Sequence, residues 1–320
     1  MPFLLVEAPS CYFVEAPSSS SNVREAEMIL VTGATGSIGR PLVRRLRADG
    51  VAFRALVRDE AKGRALGCDF AVGDFDDPDS LAAALDGVDR MFLNGAGAQP
   101  VDGEQPMIVQ QRTAIDTARR AGVARIVKVS VRDAHEGGLL AEGAHWRIER
   151  HLQASGMGWS LLRPGGFMQN FLTGAGSFTS DGDLVGSYGD APVSYIDCED
   201  IAACAAALLA GAYGNGETFV LTGPQALTHH QIAEKLSTVL GRTIRYVDLP
   251  PDELAATLKS QGLPARFADD VAALFAKVAR GSQSTTTSAV RELTGRSPRT
   301  FDDFLAANRR AFHAMAALTR

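Results

Sequence analysis

Three glycines set the first chemical constraint on this chain, in Gly33-Ala34-Thr35-Gly36-Ser37-Ile38-Gly39. They follow an apolar run of strand length, Met28-Ile29-Leu30-Val31-Thr32, and precede a helical pattern from Ser37 to Ala48. In that setting each glycine has a mechanical task. Gly33 allows a tight turn, Gly36 lets the backbone approach a pyrophosphate, and Gly39 lets the helix pack closely on the strand. The helix N-terminus then offers free N–H groups and the positive end of a dipole to an anion. Thr35, Ser37 and Ile38 therefore join the three glycines as expected phosphate contacts.

The end of the second strand decides which dinucleotide fits. An acid there hydrogen-bonds the ribose hydroxyls of NAD, whereas a cation accommodates the extra phosphate of NADP. This chain has Arg54-Ala55-Leu56-Val57-Arg58, which places Arg58 at the discriminating position and favours NADP(H) over NAD(H). Asp59 stands one step beyond the strand and is expected to point away. After the third strand, Gly73-Asp74-Phe75 puts Asp74 near the adenine amino group and Phe75 beside the ring. Asn94 and Gly95, after the fourth strand, are expected at the nicotinamide end.

The elements that must hold these residues alternate. Strands are expected at residues 28–32, 53–57, 70–72, 90–93, 125–130 and 159–162, with helical patterns at 37–48, 79–85, 106–121 and 143–154. Such alternation specifies an α/β fold, a doubly wound parallel Rossmann sheet with helices on both faces. Beyond Arg163-Pro164-Gly165-Gly166 the regularity fails, and Gly and Asp recur through residues 174–192 as if in loops and short hairpins. A helix at 201–209 and a strand at 217–221 return to the sheet. Helical patterns at 229–240, 251–261, 266–279 and 301–317 then make a smaller, mainly helical C-terminal substrate lobe. Three segments result: an N-terminal extension over 1–27, a dinucleotide-binding domain over 28–160, and a substrate lobe over 161–320 that sends segments back to the sheet.

Composition narrows the partners. Among 320 residues, 46% are hydrophobic and 22% charged, which is ordinary globular usage. A net charge of -5 with no basic block argues against a nucleic-acid partner. Uncharged stretches such as Ile201 to Tyr213 fall short of the roughly 20 apolar residues a membrane helix needs. Cys11, Cys68, Cys198 and Cys204 show no metal-ligand spacing and read as reduced thiols of a cytoplasmic protein. The expected partner is a small aromatic or conjugated molecule, and the expected assembly is a monomer or homodimer. Residues 1–27 carry a near-repeat, Val6-Glu7-Ala8-Pro9-Ser10 and Val14-Glu15-Ala16-Pro17-Ser18, then a Ser run, and read as an arm outside the main fold.

Together, Val31-Thr32-Gly33-Ala34-Thr35-Gly36, Leu56-Val57-Arg58, Gly73-Asp74, His145-Trp146-Arg147-Ile148-Glu149, Leu162-Arg163-Pro164-Gly165-Gly166-Phe167-Met168-Gln169-Asn170 and Tyr195-Ile196-Asp197 resemble the NmrA-like branch of the atypical short-chain dehydrogenases/reductases. The resemblance runs from Met28 to about Phe312. It implies NADPH-dependent reduction of quinones, azo dyes or triphenylmethane dyes, or else a dinucleotide-binding regulator. A third alternative is an isomerase, epimerase or dehydratase that retains its dinucleotide.

One departure bears on mechanism. Short-chain dehydrogenases typically use Tyr-xxx-Lys, in which the Lys lowers the Tyr pKa. No Tyr in this chain has a Lys four residues later. Ser130 matches the usual serine position at the end of the fifth strand, and the Tyr-xxx-Lys slot is held by His145 and Glu149. Four residues apart, these two should share one helix face, where Glu149 would favour a protonated imidazole. A structural brace, a polar contact to cofactor or substrate, and a metal pair remain open for them. His229-His230 reads as a helix cap and surface. Phe167, Met168 and Asn170, beyond the sixth strand, are the expected substrate contacts, since ligands bind at the carboxyl ends of such sheets. Without a Tyr–Lys pair, the favoured reaction is reduction of a quinone-like or conjugated carbonyl compound, whose product delocalises its own negative charge.

Overall fold

The computed structural model describes residues 27–173, 178–179 and 181–318. Its first half alternates without interruption: β1 (Ile29–Val31), α1 (Gly39–Ala48), β2 (Phe53–Val57), α2 (Glu60–Leu66), β3 (Phe70–Val72), α3 (Pro78–Ala84), β4 (Arg90–Leu93), α4 (Pro106–Arg120), β5 (Arg125–Val129), α5 (Ala141–Gln153) and β6 (Gly158–Pro164). The local reasons for these bounds are visible. Asp59 and Asp77 cap α2 and α3 by accepting backbone N–H bonds, and Pro78 and Pro106 sit in the first turns of α3 and α4. β1 and β5 are buried along their whole length, as strands covered on both faces must be.

The second half is less regular: α6 (Asn170–Thr173), β7 (Leu184–Gly186), α7 (Cys198–Ala210), β8 (Glu217–Leu221), α8 (His229–Leu240), β9 (Tyr246–Asp248), α9 (Pro251–Ser260), α10 (Ala265–Ala279), α11 (Ala289–Thr294), α12 (Phe301–Ala307) and α13 (Arg309–Leu318). The seven-stranded sheet has the order β3-β2-β1-β4-β5-β6-β8, with every neighbouring pair parallel. This is the doubly wound Rossmann order with β8 added beyond β6. The crossover reverses between β1 and β4, and that switch point is where such sheets bind ligands.

Two apolar layers cover the sheet. On one face α1 brings Leu42, Val43 and Leu46 against Ile201, Ala205 and Leu208 of α7, with Val290 and Leu293 of α11 behind them. On the other face lie Leu81, Ile108, Ile115, Ile148 and Leu152 from α3, α4 and α5. A separate cluster holds the C-terminal lobe together around Phe171, Ile232, Leu236, Phe301, Phe304 and Phe312.

Several sequence expectations shift. The pattern at 301–317 is two helices that break at Asn308. The lobe contains a small parallel pair, β7 with β9, and the helices α2 and α11 arise where none was expected. β6 runs across the boundary placed at residue 160. The near-repeat and nearly all of the expected N-terminal extension lie outside the described residues. Its last residue, Glu27, pairs with Arg90 at 2.5 Å. No described helix is long and apolar enough to cross a membrane.

Candidate active site

The glycine turn is built as its spacing demands. Gly33 has φ +61, and a Cβ there would lie 2.9 Å from the Asn94 carbonyl oxygen. A Cβ on Gly39 would come within 2.1 Å of the Gly33 carbonyl oxygen, so only glycine lets α1 start this close to the turn. Thr32 fixes the other side. Its hydroxyl lies 2.9 and 2.8 Å from the Phe92 and Asn94 carbonyls, donating its one hydrogen to either, and accepts from the Asn94 N–H. Ile38 caps α1 with no side-chain hydrogen bond, the Arg40 N–H is taken by the Gly36 carbonyl at 3.1 Å and Pro41 has none, so the N–H groups left for an anion at this helix start are those of Ser37, Ile38 and Gly39. Gly36 and Ser37 are exposed there, whereas the Ile38 side chain is buried in the core and contributes backbone only.

A cleft of about 180 Å³ opens above this turn, lined by Thr35, Arg58, Asp74, Phe75, Asn94 and Gly95 among others. Arg58 is exposed at the end of β2, and its side chain makes no hydrogen bond or ion pair with any described residue. Asp59 turns away to accept the Lys62 N–H at 2.8 Å, as expected. Asp74 keeps one carboxylate oxygen on the Asp76 N–H at 3.1 Å. A floor closed to any Cβ, free N–H groups at a helix start and an unpaired cation at the rim fit a phosphorylated dinucleotide.

The residues expected to carry catalysis fall into two buried hydrogen-bonded groups between β5, α5 and β6. Ser130 donates to Glu149 Oε1 at 2.5 Å. Arg163 grips the same carboxylate with two donors, Nε to Oε1 at 2.9 Å and Nη2 to Oε2. Glu149 does not pair with His145. Instead Lys128, fully buried on β5, donates to the Val129 carbonyl at 2.9 Å and meets His145 Nδ1 at 2.8 Å. Sequence reasoning missed Lys128, because a lone cation in an apolar strand gives no motif.

This arrangement corrects the expected protonation of His145. Burial first, and then the Lys128 charge, hold its imidazole well below the ordinary value. An ammonium group only donates, so a charged Lys128 makes Nδ1 an acceptor and leaves the ring proton on Nε2. Burial also pushes Lys128 down to about 7, against the opposing pull of Glu149. Among the described residues no group of three or more His, Cys, Asp or Glu is placed to hold a metal.

The expected substrate contacts separate. Asn170 is exposed and lines a cavity of the C-terminal lobe. Met168 is buried in the lobe core, and half-buried Phe167 packs against the sheet's other layer. His229 is not a surface residue: it is 1% exposed and stacked on Tyr188, while Thr228 caps α8 in its place.

The comparisons with known proteins agree with this geometry. The NmrA-like family model matches residues 25–305. The NAD(P)H azoreductase of Xenophilus azovorans is 37% identical over 293 residues, 90% of this chain and 100% of that protein. The NADPH-dependent quinone oxidoreductase QOR2 of Escherichia coli, solved in complex with NADPH, superposes with a TM-score of 0.76 at 30% identity, covering 88% of this chain and 99% of that one. The triphenylmethane reductase of Citrobacter sp. complexed with NADP(H) gives a TM-score of 0.74 at 26% identity, over 87% and 99%. A doubly wound sheet, a glycine turn at its switch point and a match spanning most of the sequence lead to one conclusion: the chain belongs to the NmrA-like family.

Proposed function

We propose that the protein is an NADPH-dependent reductase of quinone-like, azo or other conjugated aromatic acceptors. The observation that carries the reading is Arg58, an unpaired guanidinium at the rim of a cleft floored by the glycine turn. A planar fork of donors suits a 2′-phosphate and has nothing comparable to bind on an unphosphorylated ribose. The Ser37, Ile38 and Gly39 N–H groups at the start of α1 would take the pyrophosphate, with Asp74 and Phe75 at the adenine side and Asn94 and Gly95 toward the nicotinamide. NADPH held there supplies a hydride to the acceptor.

The two buried groups suggest what the protein adds. With Glu149 saturated by Ser130 and Arg163, neither Ser130 nor Glu149 is free for proton transfer, and both act as positioning residues that lock α5 onto β5 and β6. His145 is left as a neutral Nε2–H donor. Such a site orients and polarises more than it protonates, which suits acceptors whose reduced anions are delocalised. Residues 28–160 would carry the dinucleotide and 161–320 the acceptor side.

Steady oxidation of NADPH by menadione or an azo dye tests the activity, and Arg58→Ala tests its basis. Loss of the phosphate contact should weaken NADPH binding by about 1.5–3 kcal/mol and leave NADH unchanged. No turnover with any acceptor of the panel refutes the reductase reading. Equal losses for both cofactors in calorimetry refute the role of Arg58.

A further inference from the structure

Reduction of a carbonyl ends with a proton on its oxygen, and some group at the site must supply it. A neutral imidazole cannot do so alone, since losing its one N–H proton would leave a buried anion. His145 is such a ring, held neutral by burial first and then by the Lys128 charge. Its two edges differ. Nδ1 is turned toward the sheet, 2.8 Å from Lys128 Nζ. Nε2 has no partner among the described residues, yet it is not one of the polar atoms sealed from solvent, so this edge is open to a ligand.

Strand register places the pair. Lys128 lies opposite Leu93 of β4, so Asn94 and Gly95 of the cofactor cleft begin one residue farther along. Lys128 and His145 therefore stand at the carboxyl end of the sheet, beside the part of the cleft read as the nicotinamide end. Lys128 is wholly buried there. From α5 it faces His145 and Glu149, from β6 Arg163, and from its strand neighbours the apolar Leu93 and Leu161. Arg163, not Lys128, holds the Glu149 carboxylate. Burial therefore dominates and loosens the Lys128 proton to about 7, with Glu149 opposing the shift and Arg163 adding to it.

We propose that Lys128 and His145 form a proton relay to the reduced acceptor, in which His145 touches the acceptor and Lys128 supplies the proton from behind the ring. The proposal rests on the reductase reading and names the groups that complete its reaction. The hydride brings two electrons to the conjugated carbonyl, opens its C=O π bond and leaves an oxyanion. The oxyanion takes the proton from Nε2, and an Nζ proton of Lys128 moves to Nδ1. The ring stays neutral throughout, and Lys128 ends as an uncharged amine. No buried anion forms, and one buried cation disappears. Water then returns a proton to Nε2 while Nδ1 hands its own back to Nζ, which resets the pair without turning the ring. Hydride transfer precedes all of this, so the relay governs turnover and leaves the hydride step to positioning.

Nitrogen NMR of the full chain, with isotope-labelled histidine and lysine and no cofactor or acceptor, tests the linkage directly. Lys128 Nζ should titrate at about 7, and the His145 nitrogens should shift with the same midpoint while the ring stays neutral. Lys128→Met should remove that shift. Kinetics with menadione then test the transfer. Wild-type kcat should fall as pH rises through the same midpoint, because the charged Lys128 is the proton source. Lys128→Met should lower kcat about a hundredfold and abolish the pH dependence, with the single-turnover hydride step little changed. Lys128→Arg keeps a cation that does not give up its proton, so it should be as slow as Lys128→Met. Restored turnover in Lys128→Arg, or a His145 titration that survives Lys128→Met, overturns the relay. If neither variant folds, the wild type decides: a Lys128 that keeps its proton up to its ordinary 10.5 overturns the relay, and a shared midpoint near 7 upholds it. NADPH oxidation without the shared titration refutes the relay alone. The shared titration without NADPH oxidation by any acceptor refutes the reductase reading, and the relay's role falls with it.

Discussion

Lys128 places an ammonium group in the middle of a sheet, where, among the described residues, the Val129 carbonyl and His145 Nδ1 receive its hydrogens. Burial lowers it from 10.5 to about 7, and this shift is also a statement about stability. Between those two values the unfolded chain holds a proton that the folded chain has lost. Stability from this group therefore rises with pH from about 7 to about 10.5, and it is lost as pH falls back through 7. Lys128→Met removes the titrating group at similar length. Urea unfolding at pH 7 and pH 9 should show the wild type gaining more stability at the higher pH than the variant; identical gains would contradict a depressed Lys128. The same residue shows why the candidate catalytic residues were only half legible. Ser130, His145 and Glu149 were found from their positions along the chain, and the structure divides them: Ser130 and Glu149 share Arg163, while His145 meets Lys128. Their partners, Lys128 and Arg163, come from neighbouring strands, and no spacing within one helix reports a contact across a sheet. Glu149 was expected to face His145 by helix periodicity, but the bidentate guanidinium of Arg163 wins its carboxylate.

At the scale of elements, the turn between β1 and α1 concentrates the strictest packing in the cofactor cleft. A Cβ on Gly39 would meet three backbone atoms, the Gly33 oxygen at 2.1 Å and Ala34 Cα and the Gly33 carbonyl carbon at 2.7 Å, and none can rotate aside. Gly39→Ala should therefore push α1 off the turn at a cost of about 1–3 kcal/mol, seen as a melting temperature lower by several degrees. NADPH affinity should fall with it, because the Ser37, Ile38 and Gly39 N–H groups at the helix start move. A titration showing full NADPH affinity in Gly39→Ala would show that the close approach is unrelated to binding. This element was legible because glycine spacing and hydrophobic period agree there. β8 and α8 also form where expected, β8 from its β-branched and aromatic residues, but the cap of α8 was placed on His229 when a Thr228–Gln231 capping box holds it. β7 and β9 have three residues each and too little alternation to register. The break at Asn308 has no Gly or Pro to announce it, only an Asn whose side-chain amide donates to the Phe304 carbonyl at 2.8 Å.

Over the whole molecule, the two halves of the sequence share one core. More than half of the buried residues packed on the α1 face of the sheet follow residue 160 in sequence, among them Ile196, Ile201, Leu208, Leu221, Val290 and Leu293. α7 lies directly against α1, and β8 extends the sheet beyond β6. Removing everything after residue 160 would strip that apolar face and leave β6 cut inside its own span, so a fragment of residues 28–160 should not fold. The link continues at the site. Arg132, just after β5, donates to Ser194 Oγ at 3.0 Å and to the Thr285 carbonyl at 2.9 Å, while Gln283 donates to Asp133 at 2.8 Å. A chain so interleaved should unfold as one cooperative unit, even though a dinucleotide in the cleft above the glycine turn would touch mainly the first half. Saturation with NADPH at about 100 times its Kd adds about 2.7 kcal/mol to the folded state. At roughly 2 °C per kcal/mol for a chain of this size, the melting temperature should rise by about 5 °C. Differential scanning calorimetry should show a single endotherm that moves as a whole when NADPH is added. Two endotherms, with only one of them moving, would mean that the lobe melts apart from the sheet despite the residues it buries there.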